Sequence, residues 1–191
     1  MRAAKLLISI VSMYLGIGLH AAMAQDTTHT NKPRESRKEL KANEVKKLLD
    51  SKHFTFKATY ANPLGGGYTM LNGQMFNISP DGTGHIYLNY NFDMVVRTDS
   101  VIAYLPFYGR AFNSSVAYTN PNESGIKFTS TKFSYSPKTN KKGITTIVIV
   151  PTDAQNINKL ILGVSPNGTA SLQVISTNRT SISYDGYIAE K

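Results

Sequence analysis

Phe54-Thr55-Phe56-Lys57-Ala58-Thr59-Tyr60 decides the fold class of this chain. Phe54, Phe56, Ala58 and Tyr60 alternate with Thr55, Lys57 and Thr59. A strand turns successive side chains to opposite faces of a sheet, so period two predicts a half-buried strand with those four facing inward. Asn62-Pro63-Leu64-Gly65-Gly66-Gly67 breaks the run. Strand-like runs then recur over 68–78, 84–90, 92–97, 101–105, 125–129, 131–136, 144–150, 159–164, 169–175 and 181–188. Turn residues separate most of them, as at Pro80-Asp81-Gly82, Thr98-Asp99-Ser100, Asn120-Pro121-Asn122, Pro166-Asn167-Gly168 and Thr177-Asn178-Arg179. Short strands with frequent turns and no helical period between them predict a mainly β domain, an antiparallel sheet forming a barrel or a sandwich, and exclude βαβ units. Residues 152–158 leave room for a single helical turn.

Upstream of His53 the period is helical. Leu40, Val45, Leu48 and Leu49 fall on one face, with Lys38, Lys41, Lys46 and Lys47 mostly away from it. Ser36 precedes Glu39 by three residues, the spacing of a capping box. One amphipathic helix is therefore predicted over about 37–51, its apolar stripe packed on the sheet. Gln25–Glu35 is polar, contains Pro33 and has no apolar period, which reads as a flexible leader. The single domain runs from 36 to 191.

Residues 1–24 have the order of a signal peptide: Arg2 and Lys5, an apolar run from Leu6 to Leu19, then Ala22-Met23-Ala24. Cleavage is expected between Ala24 and Gln25. The run is shorter than the roughly 20 apolar residues of a spanning helix, and no later segment is apolar enough to cross a bilayer. The expected location is periplasmic or secreted. The chain has no Cys, which excludes disulfides, thiol nucleophiles, lipid attachment at a Cys and C-x-x-C-H haem attachment.

The formal charge is +9, and loss of Arg2 and Lys5 leaves +7. Residues 32–57 hold nine Lys and Arg against four Asp and Glu, so the basic excess sits mainly at the N-terminal helix. Export argues against a nucleic-acid partner; an anionic envelope surface is an alternative, and a solvated helix face accounts for the charge more simply.

Catalytic and metal signatures are missing. His29, His53 and His85 stand apart at no ligand spacing, and neither H-E-x-x-H nor G-x-S-x-G occurs. The glycines at 65–67 lack the Lys of a phosphate loop. No cofactor is implied. Asp93, Asp99, Asp153 and Asp185 are scattered, and a glycosidase would need two carboxylates facing one bond.

One segment is unusual: Tyr104-Leu105-Pro106-Phe107-Tyr108-Gly109-Arg110-Ala111-Phe112. Pro106 has no amide donor and should end the strand at Leu105. As a ligand-binding edge, Tyr104, Phe107 and Tyr108 would stack on a ring or sugar and Arg110 would grip a carboxylate. As a strand end, its aromatics would fill the core and Arg110 would pair internally; aromatic clusters favour this second reading.

Four ordered blocks resemble a known family: Asp99–Ala111, Glu123–Thr131, Ala170–Ser176 and Ile182–Ile188. Together they resemble the domain of unknown function 4251 (DUF4251), found in exported proteins of Bacteroidota, from about Glu39 to Glu190. The resemblance implies a bacterial envelope source and a helix before a β domain. It implies no activity and transfers no functional residue. The region from about Gly65 to Gly84 is longer than the hairpin usual in that family.

Three functions remain in view. A non-catalytic envelope protein would bind a small hydrophobic or glycan ligand in a barrel mouth or along a sheet face. An interaction or assembly module would present a sheet edge or the basic helix to another envelope protein. A hydrolase would need two of the scattered carboxylates to converge.

Overall fold

The computed structural model describes residues 34–64, 68–71, 74–77, 82–112 and 125–190. The predicted signal peptide, its cleavage at Ala24–Gln25, leader residues 25–33, and the turns at Pro80-Asp81 and Asn120–Asn122 lie outside them. Helix α1 (Arg34–Ser51) precedes eleven strands: β1 (Phe54–Pro63), β2 (Tyr68–Leu71), β3 (Gln74–Asn77), β4 (Ile86–Val96), β5 (Val101–Leu105), β6 (Ile126–Ser130), β7 (Phe133–Thr139), β8 (Thr145–Pro151), β9 (Ile157–Val164), β10 (Thr169–Ser176) and β11 (Ile182–Glu190).

Nine strands form one antiparallel sheet in the order β6-β5-β4-β1-β11-β10-β9-β8-β7, and β2 and β3 form a separate hairpin. The two end strands are consecutive in the chain, parted only by Thr131 and Lys132. Residues 126–139 are thus one bent segment that pairs with β5 over its first half and with β8 over its second. A segment shared by both edges curls the sheet on itself, and the result is the predicted barrel-like form, nearly closed. The interior is packed with side chains. Phe54, Phe56, Met94, Leu105, Ile147, Ile149, Leu160, Leu162, Leu172 and Tyr184 are all fully buried.

Asp153, in the β8–β9 connection, holds the bend. Its carboxylate accepts hydrogen bonds from the Ser130 hydroxyl, from the amides of Thr131 (2.9 Å) and Lys132 (3.1 Å), and from the Thr131 hydroxyl. The Ser130 hydroxyl and the amides stabilise the ionised form and lower its pKa to about 2. No helical turn forms over 152–158, because Asp153 serves the bend and strand geometry resumes at Ile157.

Helix α1 begins at Arg34, before the predicted start, so Ser36 lies inside it and not at its cap. Leu49 is buried, Val45 and Leu48 pack on the core, and Lys41, Lys46 and Lys47 are exposed, as the periodicity predicts. Lys52 ends the helix in the left-handed conformation (φ 54°). The Tyr135 hydroxyl donates to the Leu49 carbonyl at 2.9 Å, tying the helix end to β7.

The predicted strands 84–90 and 92–97 are one strand, β4, with an irregular middle. On β1, Ala58 faces Phe92 and Tyr60 faces Tyr87, so residues 88–91 leave the ladder. Against β11, Ala58 faces Gly186 and Tyr60 faces Asp185, so Thr59 is an unpaired extra residue. This bulge reverses the alternation. Phe54, Phe56 and Ala58 are buried, then Ala61 and Pro63, while Tyr60 turns outward. The inward position expected for Tyr60 is therefore corrected.

A Cβ on Gly186 would lie 1.8 Å from the Lys57 carbonyl oxygen, so β11 approaches the bulge more closely than any side chain permits. Gly186→Ala should cost at least the about 1–3 kcal/mol of an overpacked core, read by denaturant unfolding. A carboxyl whose pKa falls on folding adds stability above its unfolded pKa and loses it as pH drops towards the folded one. Wild-type stability should therefore fall between pH 3.8, the ordinary Asp value, and about 2, partly through Asp153. Asp153→Asn should unfold more readily at neutral pH and show a shallower acid dependence.

Candidate functional site

Pro106 ends β5 at Leu105, as its missing donor requires. The segment that follows crosses the end of the curled sheet to the β10–β11 connection. Arg110 N–H donates to the Thr180 hydroxyl at 3.2 Å, and Thr180 N–H donates to the Arg110 carbonyl at 2.9 Å. Phe112 N–H donates to the Asn178 carbonyl at 2.8 Å, and Ala111 and Arg179 form an antiparallel bridge. From inside, the hydroxyl of fully buried Tyr184 donates to the Pro106 carbonyl at 2.6 Å. Burial pushes the Tyr184 phenol well above its ordinary pKa, so it stays a donor.

The four residues singled out in this segment separate. Phe107 and Tyr108 are half-buried against the core, and burial raises the Tyr108 pKa. The Arg179 guanidinium lies 5.0 Å from the Phe107 ring centroid while its Nη1 donates to the Gly125 carbonyl at 3.2 Å. Burial lowers the Arg179 pKa. The Arg110 side chain is exposed. Tyr104 lies on the outer face of the sheet, stacked on Phe92 at 5.6 Å with the Lys127 ammonium 4.7 Å from its ring centroid. The segment is thus a stopper for the barrel end, and Tyr104 belongs to a different surface.

That surface is the outer face of β11, β1, β4 and β5. Tyr60 and Tyr87 are register partners in edge-to-face contact at 5.5 Å, and they are 43% and 66% exposed. Tyr90 and Tyr187 are also exposed. Beside the tyrosine pair, Asn62 Nδ2 donates to Asp185 Oδ2 at 2.7 Å. His85 Nδ1 lies 2.5 Å from Asn62 Oδ1. An amide oxygen only accepts, so Nδ1 carries the proton. A second row crosses the same strands: Tyr187, Lys57, Asp93, Tyr104 and Lys127 are successive cross-strand neighbours. Lys57 Nζ and Asp93 Oδ2 are 2.9 Å apart.

The bulge at Thr59 builds this site. By reversing the alternation of β1 it brings Tyr60 and Asn62 to the outer face beside Tyr87 and Asp185. In the sequence, Asn62 reads as a turn residue and Asp185 as one of four scattered acids. They lie 123 positions apart, and no local pattern links them.

Each scattered carboxylate has its own partner: Asp93 has Lys57, Asp99 the Ser100 hydroxyl (which lowers its pKa), Asp153 the bend amides, and Asp185 has Asn62. Among the described residues no group of three or more His, Asp or Glu is placed to hold a metal, and no helix is long and apolar enough to cross a membrane. A polar cleft of about 240 Å³ lies along the edge of β6, lined by Gly125, Lys127, Gln155, Asn156, Asn178 and Arg179 among others. Asn178 Oδ1 is buried there without a hydrogen-bond partner.

A family model described as Domain of unknown function (DUF4251) matches residues 36–188. Among solved structures, the chain is similar to a DUF4251 family protein from Bacteroides eggerthii DSM 20697. Identity is 14%, over 82% of this chain and 92% of that one, with a TM-score of 0.46. No curated protein matches.

The stopper yields a prediction. Tyr184→Phe leaves the Pro106 carbonyl without its donor and should cost about 1–2 kcal/mol in denaturant unfolding, with faster hydrogen exchange at residues 107–112. Arg110→Ala, at an exposed side chain, should shift stability by less than about 0.5 kcal/mol.

Proposed function

We propose a role for this chain, which belongs to the DUF4251 family, from its own surface: it is an exported, non-catalytic envelope protein that binds a glycan on the outer face of β11, β1, β4 and β5. One observation carries the reading. Tyr60 and Tyr87 present exposed rings directly beside the Asp185–Asn62–His85 hydrogen-bond chain. A sugar ring has apolar C–H faces and a rim of hydroxyls. Flat aromatics take the faces, and carboxylate and amide groups take the hydroxyls.

Two further observations support the choice. The interior is filled by Phe54, Phe56, Met94, Leu160, Leu162 and Tyr184, and Phe107 and Tyr108 pack at its end, so the outer face is favoured over a barrel mouth. The strands that carry the exposed tyrosines also carry the polar side chains of Asn62, Asn89, Asn91 and Asp185, which favours a polyhydroxyl ligand over an apolar protein surface. Export rests on the signal-peptide order of residues 1–24.

The test is calorimetric titration of a polysaccharide panel into mature protein. A bound glycan is expected. Each stacking ring contributes about 1 kcal/mol, so the Tyr60→Ala/Tyr87→Ala double variant should weaken binding by about thirtyfold with an unchanged melting temperature. Wild-type affinity in that double variant would remove this face from the binding role.

A further inference from the structure

The outer face carries two sets of tyrosine and carboxylate, and the fold supplies cations to one of them. In that set the Lys127 ammonium lies 4.7 Å from the Tyr104 ring centroid, Phe92 stacks on the same ring, and Lys57 Nζ lies 2.9 Å from Asp93 Oδ2. In the other set, Asp185, Tyr60 and Tyr87 are successive cross-strand neighbours on β11, β1 and β4. Among the described residues no cation lies over the Tyr60 or Tyr87 ring, and none pairs with Asp185. The Asp185 carboxylate accepts only from a neutral amide, Asn62 Nδ2 at 2.7 Å, so its charge is uncompensated.

From this we infer, resting on the glycan reading above, that the glycan carries a positively charged amine, as an amino sugar without an N-acetyl group does. The ammonium would sit on Tyr60, between Asp185 and Tyr87. An aromatic face attracts a cation through its quadrupole, and a neighbouring carboxylate adds direct charge attraction. Residues directly opposite on adjacent strands have Cβ atoms about 5 Å apart, so one ammonium can reach the Tyr60 ring and the Asp185 carboxylate together. Tyr60 and Tyr87 meet with 65° between their ring planes, which makes two walls of a corner and not one flat platform. The His85 ring fixes the amide between them: Nδ1–H donates to Asn62 Oδ1, so Nδ2 is the atom that serves Asp185.

The overall field works against a cation, which makes the local site testable. The formal charge of +9, less the two charges of residues 1–24, leaves +7. Much of that excess lies on α1, which ends at Ser51, whereas Tyr60 is six residues along β1 from Phe54. Six strand residues span roughly 20 Å, beyond the roughly 8 Å over which exposed charges act at physiological salt.

The experiment titrates chitosan hexasaccharide, its fully N-acetylated counterpart and a panel of neutral polysaccharides into mature protein, in mildly acidic buffer that keeps the sugar amine protonated. The amine-bearing hexamer should bind about fivefold more tightly than the acetylated one, the worth of one exposed cation–π contact. That preference should shrink below about twofold at about 0.5 M salt, where exposed charges are screened. Asp185→Asn keeps an oxygen to accept from Asn62, so the melting temperature and the binding of the acetylated hexamer should stay unchanged while the preference disappears. Equal binding of the two hexamers by the wild type would overturn the cationic class and leave the glycan reading standing. A preference that survives in Asp185→Asn would overturn this seat for the amine. Silence with every glycan would overturn both this inference and the reading beneath it.

Discussion

The bend at Thr131-Lys132 is the constraint on which the rest of the molecule depends. The segment 126–139 borders β5 through its first half and β8 through its second, so the sheet cannot stay open. Ser130, Thr131 and Lys132 turn their polar groups toward one carboxylate, Asp153, which satisfies donors that no strand partner reaches. Closure then fixes the interior. Inward side chains from all around the sheet meet in one core, with Phe54, Phe56 and Tyr184 among its largest members. A chain without disulfides relies on that core and on continuous ladder pairing.

The two additions to the barrel follow from this core. Helix α1 lays Val45, Leu48 and Leu49 against it and is held by the Tyr135 hydroxyl. The 106–112 segment carries Phe107 and Tyr108 onto it and is held by the Tyr184 hydroxyl. In both, a tyrosine hydroxyl donates to a backbone carbonyl: fully buried Tyr184 to Pro106, and half-buried Tyr135 to Leu49, which also accepts from the Lys52 amide at 3.3 Å. With the interior occupied, the exposed tyrosines and the Asp185–Asn62–His85 hydrogen bonds lie on the outer face. The Thr59 bulge creates the polar and aromatic face there, and Gly186 lets β11 pass close enough to keep the ladder intact around it.

Much of the fold was legible in local pattern. Phe54 to Ala58 alternate because one side of that strand meets the core. Val101 to Leu105 form a strand ended by Pro106, since proline lacks an amide to donate. The apolar stripe of α1 was readable for the same reason, whereas its start was not. Tyr60 shows where local pattern ceases to fix direction. Its alternation with Ala58 pointed inward, but an extra residue at Thr59 was accommodated by a partner strand more than a hundred positions away. The cluster Tyr104–Arg110 was visible as unusual, yet its division into stopper and outer face depends on Thr180 and Tyr184, which no neighbouring residue foreshadows.

What the sequence by itself determined is the short-range part: strand and helix periods, turn positions, the absence of thiol chemistry, and membership in a family recognisable by four ordered blocks. These follow from side-chain direction and backbone stereochemistry, which act over a few residues. Tertiary structure alone decided that the sheet curls until it is nearly closed, that Tyr60 and Asn62 face outward, and that Asn62 meets Asp185 and His85 beside Tyr87. Those outcomes depend on register between distant strands. A one-residue slip reverses every face, and only the packing of the completed barrel selects among registers.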